Sequence, residues 1–373
     1  MEISKRVAII GAGIAGAATA YFLARRGVRN IIILERENTA GAISTGRNAA
    51  ILRSPIPDPL LRGLARASAR FYQQPPEGFS SRPLLNPVGL YLVAQSEHAQ
   101  SLLSWAVNGS FEGGTKVVDP AELYGRIPIL TPGIAAAVFQ PDEGVMDVHA
   151  ILQCFLREAH REGVELRLNC DATGLRIAGD QVTGVETSEG FLESGHVVLA
   201  GGGWAATFAA EAGYPFPLVP YRRHLLVTNP LAQVDPGWPV VWSQGDEFYF
   251  RPESGGLLMC ACDTVAVSPE EGQKTDPAEL ERIASKAARW LPSLGDAGVA
   301  RAWAGMRTFA PDHRFVIGSD PRARGLHWVA GLGGHGITCA PAAGQLAAEW
   351  IVEGTSRHPA AEALSPARFV QLG

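Results

Sequence analysis

Near its beginning the chain carries Val7-Ala8-Ile9-Ile10-Gly11-Ala12-Gly13-Ile14-Ala15-Gly16, in which an apolar run leads into three closely spaced glycines. The run has the character of a buried strand, and the residues after it, up to Arg26, have that of a helix. Gly11 permits a tight turn, Gly13 lets a pyrophosphate approach the backbone, and Gly16 lets the helix pack closely on the strand. The pattern predicts a dinucleotide-binding β-α-β unit.

The residues that follow strengthen this interpretation. A second apolar run, Ile31-Ile32-Ile33-Leu34, ends at Glu35, where a carboxylate would hold the hydroxyls of a ribose. The fingerprint by itself does not distinguish FAD from NAD.

Two further segments favour a flavin. One is Ser44-Thr45-Gly46-Arg47-Asn48-Ala49-Ala50, and the other is the glycine-rich turn Gly331-Leu332-Gly333-Gly334-His335-Gly336-Ile337-Thr338. A glycine-rich turn that opens a helix presents backbone N–H groups and the positive end of the helix dipole. Aimed at the N1/C2=O edge of a flavin, such a turn would stabilise the reduced, anionic form.

The remaining pattern predicts two kinds of sheet. Strand-like runs at 182–185, 197–199 and 328–330 continue an α/β pattern, whereas short runs between 225 and 259 indicate an antiparallel sheet. We expect a nucleotide-binding domain made of residues 1–85, 145–217 and 308–373. A substrate domain, made of residues 86–144 and 218–307, would be inserted into it.

Composition excludes several other classes of protein. The chain has 373 residues, of which 46% are hydrophobic and 18% charged, with a net charge of −5 and no charged block. We therefore expect no nucleic-acid-binding surface. The five cysteines lack the spacing of zinc ligands, so we expect reduced thiols and no metal site. The charged pair Lys5 and Arg6 precedes the first strand directly, so we expect no signal peptide and no transmembrane segment, and a cytoplasmic location.

The chain resembles the FAD-dependent amino-acid and amine oxidoreductases of the D-amino-acid oxidase superfamily, a group that includes glycine oxidase and sarcosine oxidase. Within the superfamily, the chain's residues resemble those of bacterial D-arginine dehydrogenase in particular. The resemblance is carried by residues 7–50, 75–85 and 197–204, by Phe248-Tyr249, by Trp303-Ala304-Gly305-Met306-Arg307, by the Gly331 turn and by residues 364–368. It implies an α/β fold, α+β overall, with a Rossmann-like FAD-binding domain and an inserted, mainly antiparallel β-sheet substrate domain.

The resemblance also implies which residues bind FAD. They are Gly11, Gly13, Ile14, Ala15, Gly16, Glu35, Arg36, Ser44, Thr45, Arg47, Asn48, Ala49, Ala50, Ala172, Ala200, Trp204, Arg307, Gly333, Gly334, His335, Gly336, Ile337 and Thr338. Sarcosine oxidases tether their flavin through a cysteine near the position of Gly305 and Met306. Because neither residue is a cysteine here, we expect noncovalent FAD.

The same resemblance implies the catalytic residues Arg307, Tyr249, Gly334 and His335, with one arginine of the Arg222-Arg223 pair. Arg307 and Tyr249 would hold the carboxylate of the substrate, because the planar fork of arginine binds a carboxylate through two hydrogen bonds. Adjacent strand residues face opposite ways, so only one of the pair can face the flavin, and we expect Arg222. His335 would form part of the pocket wall.

Departures from the D-arginine enzyme indicate the substrate class. Leu90 stands where that enzyme has a glutamate for the guanidinium, and Ile51 and Ile56 replace polar residues of its pocket. We therefore expect oxidative deamination of a neutral or hydrophobic D-amino acid by hydride transfer from Cα to flavin N5. The alternatives are a secondary-amine or cyclic imino-acid oxidase of the sarcosine, glycine or proline type, and a flavin-binding subunit with little activity alone.

The electron acceptor is expected to be a quinone or another carrier rather than oxygen. Sarcosine-type oxidases place a lysine over the flavin, and no lysine occurs here between Lys116 and Lys274. A cation would stabilise developing superoxide, so its absence favours a dehydrogenase. The partners would then be a small amino-acid or amine substrate and the acceptor, with peripheral membrane association if the acceptor is a quinone.

Overall fold

The computed structural model describes residues 5–107, 114–295 and 297–370. The helices in these ranges are α1 (Ile14–Arg25), α2 (Pro59–Gln73), α3 (Ser96–Trp105), α4 (Pro120–Arg126), α5 (Val148–Arg161), α6 (Ala205–Glu211), α7 (Pro277–Trp290), α8 (Gly336–Glu353) and α9 (Ala361–Leu364). None of the helices described is long and apolar enough to span a bilayer.

A six-stranded sheet forms the first of two large layers. Its strands, in spatial order, are β20 (Val316–Ser319), β21 (Leu326–Ala330), β13 (His196–Leu199), β1 (Val7–Ile10), β2 (Ile31–Leu34) and β9 (Glu165–Arg167). All neighbours are parallel except β20 and β21. Helices α1, α2, α5 and α8 share one apolar core with this sheet. At the contact of α1 with α8, a Cβ on Gly344 would lie 2.7 Å from the backbone of Ala18, so glycine permits the close approach.

A nine-stranded sheet forms the second layer. Its strands are β5 (Leu90–Gln95), β6 (Lys116–Val118), β7 (Ile134–Gln140), β14 (Val219–Thr228), β15 (Val240–Ser243), β16 (Phe248–Glu253), β17 (Gly256–Cys260), β18 (Val265–Ala266) and β19 (Val299–Phe309). The pairs are antiparallel except for β5 with β15. The expected α/β fold with a mainly antiparallel second sheet is confirmed. The division into two domains at the expected bounds stays a prediction.

Two three-stranded sheets complete the structure. One contains β10 (Ala172–Ala178), β11 (Gln181–Thr187) and β12 (Gly190–Glu193), and the other contains β3 (Ile51–Leu52), β4 (Leu85–Asn86) and β8 (Gly144–Met146). Strand β3 matters for the site, because it continues the segment that was predicted to contact the cofactor.

Register assigns the two faces of β14. Tyr221 pairs with Arg307 of β19, and Arg223 pairs with Gly305. Directly opposed residues share a face and successive residues alternate, so Arg223 and Arg307 lie on the same face of the sheet. The apolar residues that continue this face, Leu225 and Val227, cluster with Tyr249. The face is therefore polar at one end and apolar at the other.

Candidate active site

A cavity of about 610 Å³ lies between the two large sheets. It is lined by the carboxyl ends of β1, β2, β13 and β21 on one side and by residues of β14, β15, β16 and β19 on the other. The carboxyl edge of a parallel sheet is where open α/β folds bind their ligands.

Every residue predicted to bind the cofactor lines this cavity except Gly16. A Cβ on Gly16 would collide with the carbonyl oxygen of Gly11, so this glycine serves the packing of α1 against the turn and does not face the ligand space. Gly11 has φ of +106°, and a Cβ there would lie 2.7 Å from the oxygen of Ala200. Glycine at this position therefore permits the close approach of the turn to the backbone of Ala200.

The first end of the cavity is built for a pyrophosphate and a ribose. Helix α1 begins after Gly13 without a side-chain cap, so N–H groups of its first turn remain for a ligand. The Ile14 N–H donates to Thr45 Oγ1 at 3.0 Å, which ties the segment after β2 to this turn. The Glu35 carboxylate accepts from the N–H groups of Ala12 at 2.9 Å and Glu37 at 3.0 Å. These bonds fix the carboxylate beside the turn.

The second end is formed by the turn between β21 and α8. Gly331, Gly333 and Gly334 have φ of +65°, +52° and +83°, values that favour glycine. Helix α8 begins after His335, again without a side-chain cap, and the hydroxyl of Tyr72 donates to the oxygen of Ile337 at 2.6 Å. One cavity thus contains two uncapped helix N-termini. This donor set fits FAD: the N–H groups at α1 would bind the pyrophosphate, and those at α8 would stabilise negative charge at the N1/C2=O edge of a reduced flavin.

Arg307, Tyr249 and Arg223 come together beside the α8 turn. Arg307 lies against Gly334, where a Cβ would be 2.6 Å from its Nε. Tyr249 is buried and stacks on Trp242, with ring centroids 4.2 Å apart. Arg223 is 6% exposed, and its Nε and Nη1 have no hydrogen-bond partner among the described residues. The three groups can receive a carboxylate.

The expectation that Arg222 faces the cavity is wrong. Arg222 donates to Asp276 at 3.1 Å, at the N-terminus of α7, and does not line the cavity, whereas Arg223 does. The reason is the register of β14 with β19, which places Arg223 on the face of Arg307. The sequence of β14 alone does not indicate which of the two arginines faces the cavity, because apolar residues follow on both faces of the strand.

Electrostatics keep His335 neutral. Burial lowers its pKa to about 3, and the guanidinium groups of Arg53 and Arg307 contribute to the shift. Burial also lowers the pKa of Arg307, and Arg223 adds repulsion. The pKa of Tyr249 is raised well above its usual range, mainly by burial. At physiological pH the site presents a neutral imidazole, a neutral phenol and charged guanidiniums.

The predicted pocket wall is only partly right. Ile51 lines the cavity, but Leu90 and Ile56 do not. Leu90 is fully buried in a core cluster, because β5 is an interior strand of its sheet with β15 and β7 on its two sides. The expectation of an apolar pocket is also wrong, because Arg53 lines the cavity in addition to Arg223 and Arg307 and makes it cationic. Arg53 was missed, although it follows the predicted cofactor segment by three residues.

The cysteines and acidic residues add no metal site. Among the residues described, no group of three or more His, Cys, Asp or Glu side chains is placed to hold a metal. All five cysteines are free and buried. Of these only Cys170 lines the cavity. Its backbone N–H donates to the carbonyl oxygen of Glu35 at 2.9 Å, so it lies at the end of the cavity formed by the α1 turn. Noncovalent binding of FAD stays a prediction.

Comparison with known proteins adds relatives along the whole chain. The chain is 28% identical to a 4-methylaminobutanoate oxidase (formaldehyde-forming) of Paenarthrobacter nicotinovorans over 94% of this chain and 44% of the relative. It is 28% identical to a sarcosine oxidase subunit beta of an Arthrobacter species, over 91% of this chain and 84% of that subunit. The chain thus spans less than half of the first relative and most of the second.

A solved structure and a family profile agree with these relatives. The crystal structure of L-proline dehydrogenase from P. horikoshii superposes with a TM-score of 0.88 at 25% identity, covering 99% of this chain and 98% of that one. The profile of the DAO family, described as FAD dependent oxidoreductase, matches residues 6–350. With its cavity, its two uncapped helix N-termini and these relatives, the chain belongs to the DAO family of FAD-dependent oxidoreductases.

Proposed function

We propose that the chain oxidises a secondary amine or cyclic imino acid that carries a carboxylate, using FAD as the acceptor of two electrons. The observation that carries the proposal is the cluster of Arg307, Tyr249 and Arg223 beside the uncapped N-terminus of α8. The names of the three relatives support it, because 4-methylaminobutanoate, sarcosine and L-proline are all secondary amines with a carboxylate.

The chain's residues have three tasks in such a reaction. Arg307 and Arg223 bind the carboxylate through charge-assisted hydrogen bonds, and Tyr249 donates to it as a neutral phenol. This anchoring fixes the carbon next to the nitrogen in one orientation. Bound FAD would supply the acceptor for the hydride that leaves this carbon. Water would then hydrolyse the resulting imine to a carbonyl group and a primary amine, which stay in one molecule when the substrate is cyclic.

No protein base is needed, because the cavity itself favours a neutral amine. Arg53, Arg223 and Arg307 line the cavity and repel an ammonium group, which lowers the pKa of a bound amine. The substrate then binds with the lone pair on nitrogen available. His335, with a pKa of about 3, is too weakly basic to accept the proton at neutral pH.

Deamination of a neutral D-amino acid has less support than this alternative. It was inferred from similarity to D-arginine dehydrogenase, which stays a prediction, and from Leu90, which lies outside the cavity. A flavin-binding subunit with little activity alone is the second candidate. It is favoured by the relative described as a subunit, most of which this chain covers. The cytoplasmic location and a quinone acceptor also stay predictions.

The test is anaerobic bleaching of the flavin in the purified holoprotein. Sarcosine, 4-methylaminobutanoate, L- and D-proline, and neutral D-amino acids are added separately, and absorbance of the oxidised flavin is followed. We expect secondary amines to bleach the flavin faster than primary D-amino acids, and Arg307→Ala to slow bleaching strongly. Arg324→Ala is the control, because Arg324 is 71% exposed and pairs with Asp180. Faster bleaching by D-amino acids would reject the substrate class, and no bleaching by any amine would favour the subunit.

A further inference from the structure

The cationic charge of the cavity exceeds what one carboxylate needs. Arg53, Arg223 and Arg307 line the same cavity. Burial lowers the pKa of Arg53, and repulsion from Arg307 lowers it further. Burial likewise lowers the pKa of Arg307, and repulsion from Arg223 adds to this effect, so neighbouring charges in this set repel each other. The Nε atoms of Arg53 and Arg223 are buried without a hydrogen-bond partner among the described residues. Buried cations in this state cost free energy unless a ligand pairs with them.

The acidic groups of the protein offset these charges only in part. Against the lowering effect of burial, Asp263 and the thiols of Cys260 and Cys262 raise the pKa of Arg223, and Glu247 and Glu143 attract Arg53. Asp263 lies 3.9 Å from Arg223, but its two oxygens already bond the backbone N–H and the Nδ1 of His224, each at 2.8 Å. Glu143 accepts from the N–H of Ser54 at 3.0 Å and from its hydroxyl, and it does not line the cavity.

The acids that do line the cavity lie around its first end. They are Glu35, Asp171, Glu211 and Glu270. Trp204 links Glu270 to Arg36 at that end. Its Nε1 donates to Glu270 at 3.1 Å, and the centre of its ring lies 3.8 Å from the guanidinium carbon of Arg36. None of the four forms an ion pair with the three arginines in the part of the chain that the structure describes. The excess positive charge of Arg53, Arg223 and Arg307 therefore lies at the second end of the cavity, beside the α8 turn.

Arg53 is positioned apart from the other two arginines. Arg223 and Arg307 project from one face of the nine-stranded sheet, whereas Arg53 follows β3 in a different sheet. Its guanidinium lies 4.4 Å from the ring centre of Trp242, the same indole on which Tyr249 stacks. Stacking on an aromatic face leaves the edge N–H groups of arginine free to bind an acid. Arg53 thus forms a second anion site on the wall that Trp242 and Ile51 provide.

We propose that the preferred substrate is a dicarboxylic secondary amine, whose second carboxylate binds Arg53 while its first binds Arg307, Arg223 and Tyr249. The inference rests on the proposed function and specifies its substrate class. Two carboxylates would bring two negative charges to the three guanidiniums and give partners to the buried Nε atoms. A monocarboxylic amine would leave Arg53 unpaired.

Binding is tested first, with ligands that cannot be oxidised to an imine. (Methylthio)acetate and 2,2′-thiodiacetate have sulfur in place of the amine nitrogen and differ by one carboxylate. Each is titrated into the holoprotein, and Kd is read from the change in the flavin spectrum. We expect thiodiacetate to bind roughly tenfold or more tightly, as one charge-assisted hydrogen-bonded pair provides.

Variants assign the preference to Arg53. Arg53→Met should weaken thiodiacetate by roughly tenfold or more and change (methylthio)acetate by less than about threefold, and Arg53→Lys should recover part of the loss. Arg161→Met is the matched control for loss of one charge, because Arg161 is 60% exposed on α5. Equal affinities for the two ligands would overturn the proposal. Equal weakening of both ligands by Arg53→Met would also overturn it, since Arg53 would then serve a single carboxylate.

The rate at which substrates reduce the flavin gives the second readout. Anaerobic bleaching is compared for sarcosine with iminodiacetate, where the second carboxylate is on the N-methyl carbon. It is also compared for N-methylalanine with N-methylaspartate, where the second carboxylate is on the β-carbon. We expect the dicarboxylic member of at least one pair to have the higher second-order rate constant for flavin reduction. If secondary amines bleach the flavin but both pairs show no preference, the dicarboxylate proposal fails alone. If no amine bleaches it, the proposed function fails, and the thioether titration still decides the binding question.

Discussion

Arg222 and Arg223 are neighbours in β14 with opposite surroundings. The side chain of Arg223 is buried beside Arg307, and the side chain of Arg222 reaches Asp276, whose own side chain is 40% exposed. A partly exposed ion pair contributes at most about 1 kcal/mol to stability, whereas a buried cation facing a substrate carboxylate contributes to binding directly. The two adjacent arginines therefore provide an internal comparison.

Arg223→Met should lower kcat/KM for a carboxylate substrate by roughly tenfold to a hundredfold, the range expected for a lost charge-assisted hydrogen bond. Arg222→Met should change it by less than about threefold. Steady-state kinetics with an artificial dye as electron acceptor measure both variants. A larger loss in Arg222→Met than in Arg223→Met would contradict the assignment of the two faces.

His335 should not appear in the pH profile. Its pKa of about 3 means that it is neutral throughout the range from pH 5 to pH 9. His335→Gln should therefore leave the apparent pKa values of kcat/KM in place, although the rate itself can change with the shape of the wall. The measurement is kcat/KM against pH for both proteins. Loss of a pH-dependent limb in the variant would show that His335 titrates during the reaction.

Glu143 makes stability depend on pH. Burial raises its pKa from 4.5 to about 7, against the lowering effect of the hydrogen bonds from Ser54. The folded protein therefore keeps a proton that the unfolded chain releases, so stability falls as the pH rises from about 4.5 to about 7 and is level above that range. The loss from this group is up to about 3 kcal/mol.

Glu143→Gln should remove that part of the slope. Urea unfolding at pH 5 and pH 8 measures it, and the difference between the two pH values should be smaller for the variant than for the unmodified protein. An equal difference in both proteins would mean that Glu143 is ionised in the folded state.

Among the elements, the turn before α8 has the most demanding geometry. Gly334 combines φ of +83° with contact to Arg307, so it matters for two reasons. A side chain there would be strained, and it would push the guanidinium out of place. Gly78 provides a comparison, because it has φ of +77° and nothing within 4 Å of an added Cβ.

Gly334→Ala should lower kcat/KM by more than about tenfold, because a misplaced anchor loses transition-state binding. Gly78→Ala should carry a similar backbone strain, about 1 kcal/mol, and leave kcat/KM nearly unchanged. Kinetics, together with the FAD content of each purified variant, separate the two effects. Equal activity of Gly334→Ala and the unmodified protein would show that Arg307 does not depend on this turn.

Elements that depend on local pattern were predictable from the sequence. The first strand, the turn at Gly11 and helix α1 occur where the glycine spacing placed them, and Glu35 follows β2. The position of Arg223 was not predictable in the same way, because it depends on the register of β14 with β19, more than 80 residues later in the chain. Leu90 was misplaced for a related reason, since its surroundings are set by β15 and β7.

At the scale of the whole molecule, the two large sheets contribute different parts of one site. The parallel sheet supplies the helix N-termini and Glu35, and the antiparallel sheet supplies Arg307, Tyr249 and Arg223. The residues that line the cavity therefore come from segments far apart in the sequence. In the proposed function, the antiparallel sheet anchors the substrate carboxylate beside the flavin.

The most direct measurement compares the fastest-reacting amine of the anaerobic screen with the same amine converted to its carboxamide. The carboxamide keeps the size, the nitrogen and the carbon–hydrogen bond but removes the negative charge that Arg307 and Arg223 would bind. We predict that the rate of flavin bleaching divided by substrate concentration falls by roughly a hundredfold, as expected when a charge-assisted, two-point contact is lost. Equal rates for the acid and the amide would contradict the claim that these arginines anchor the substrate.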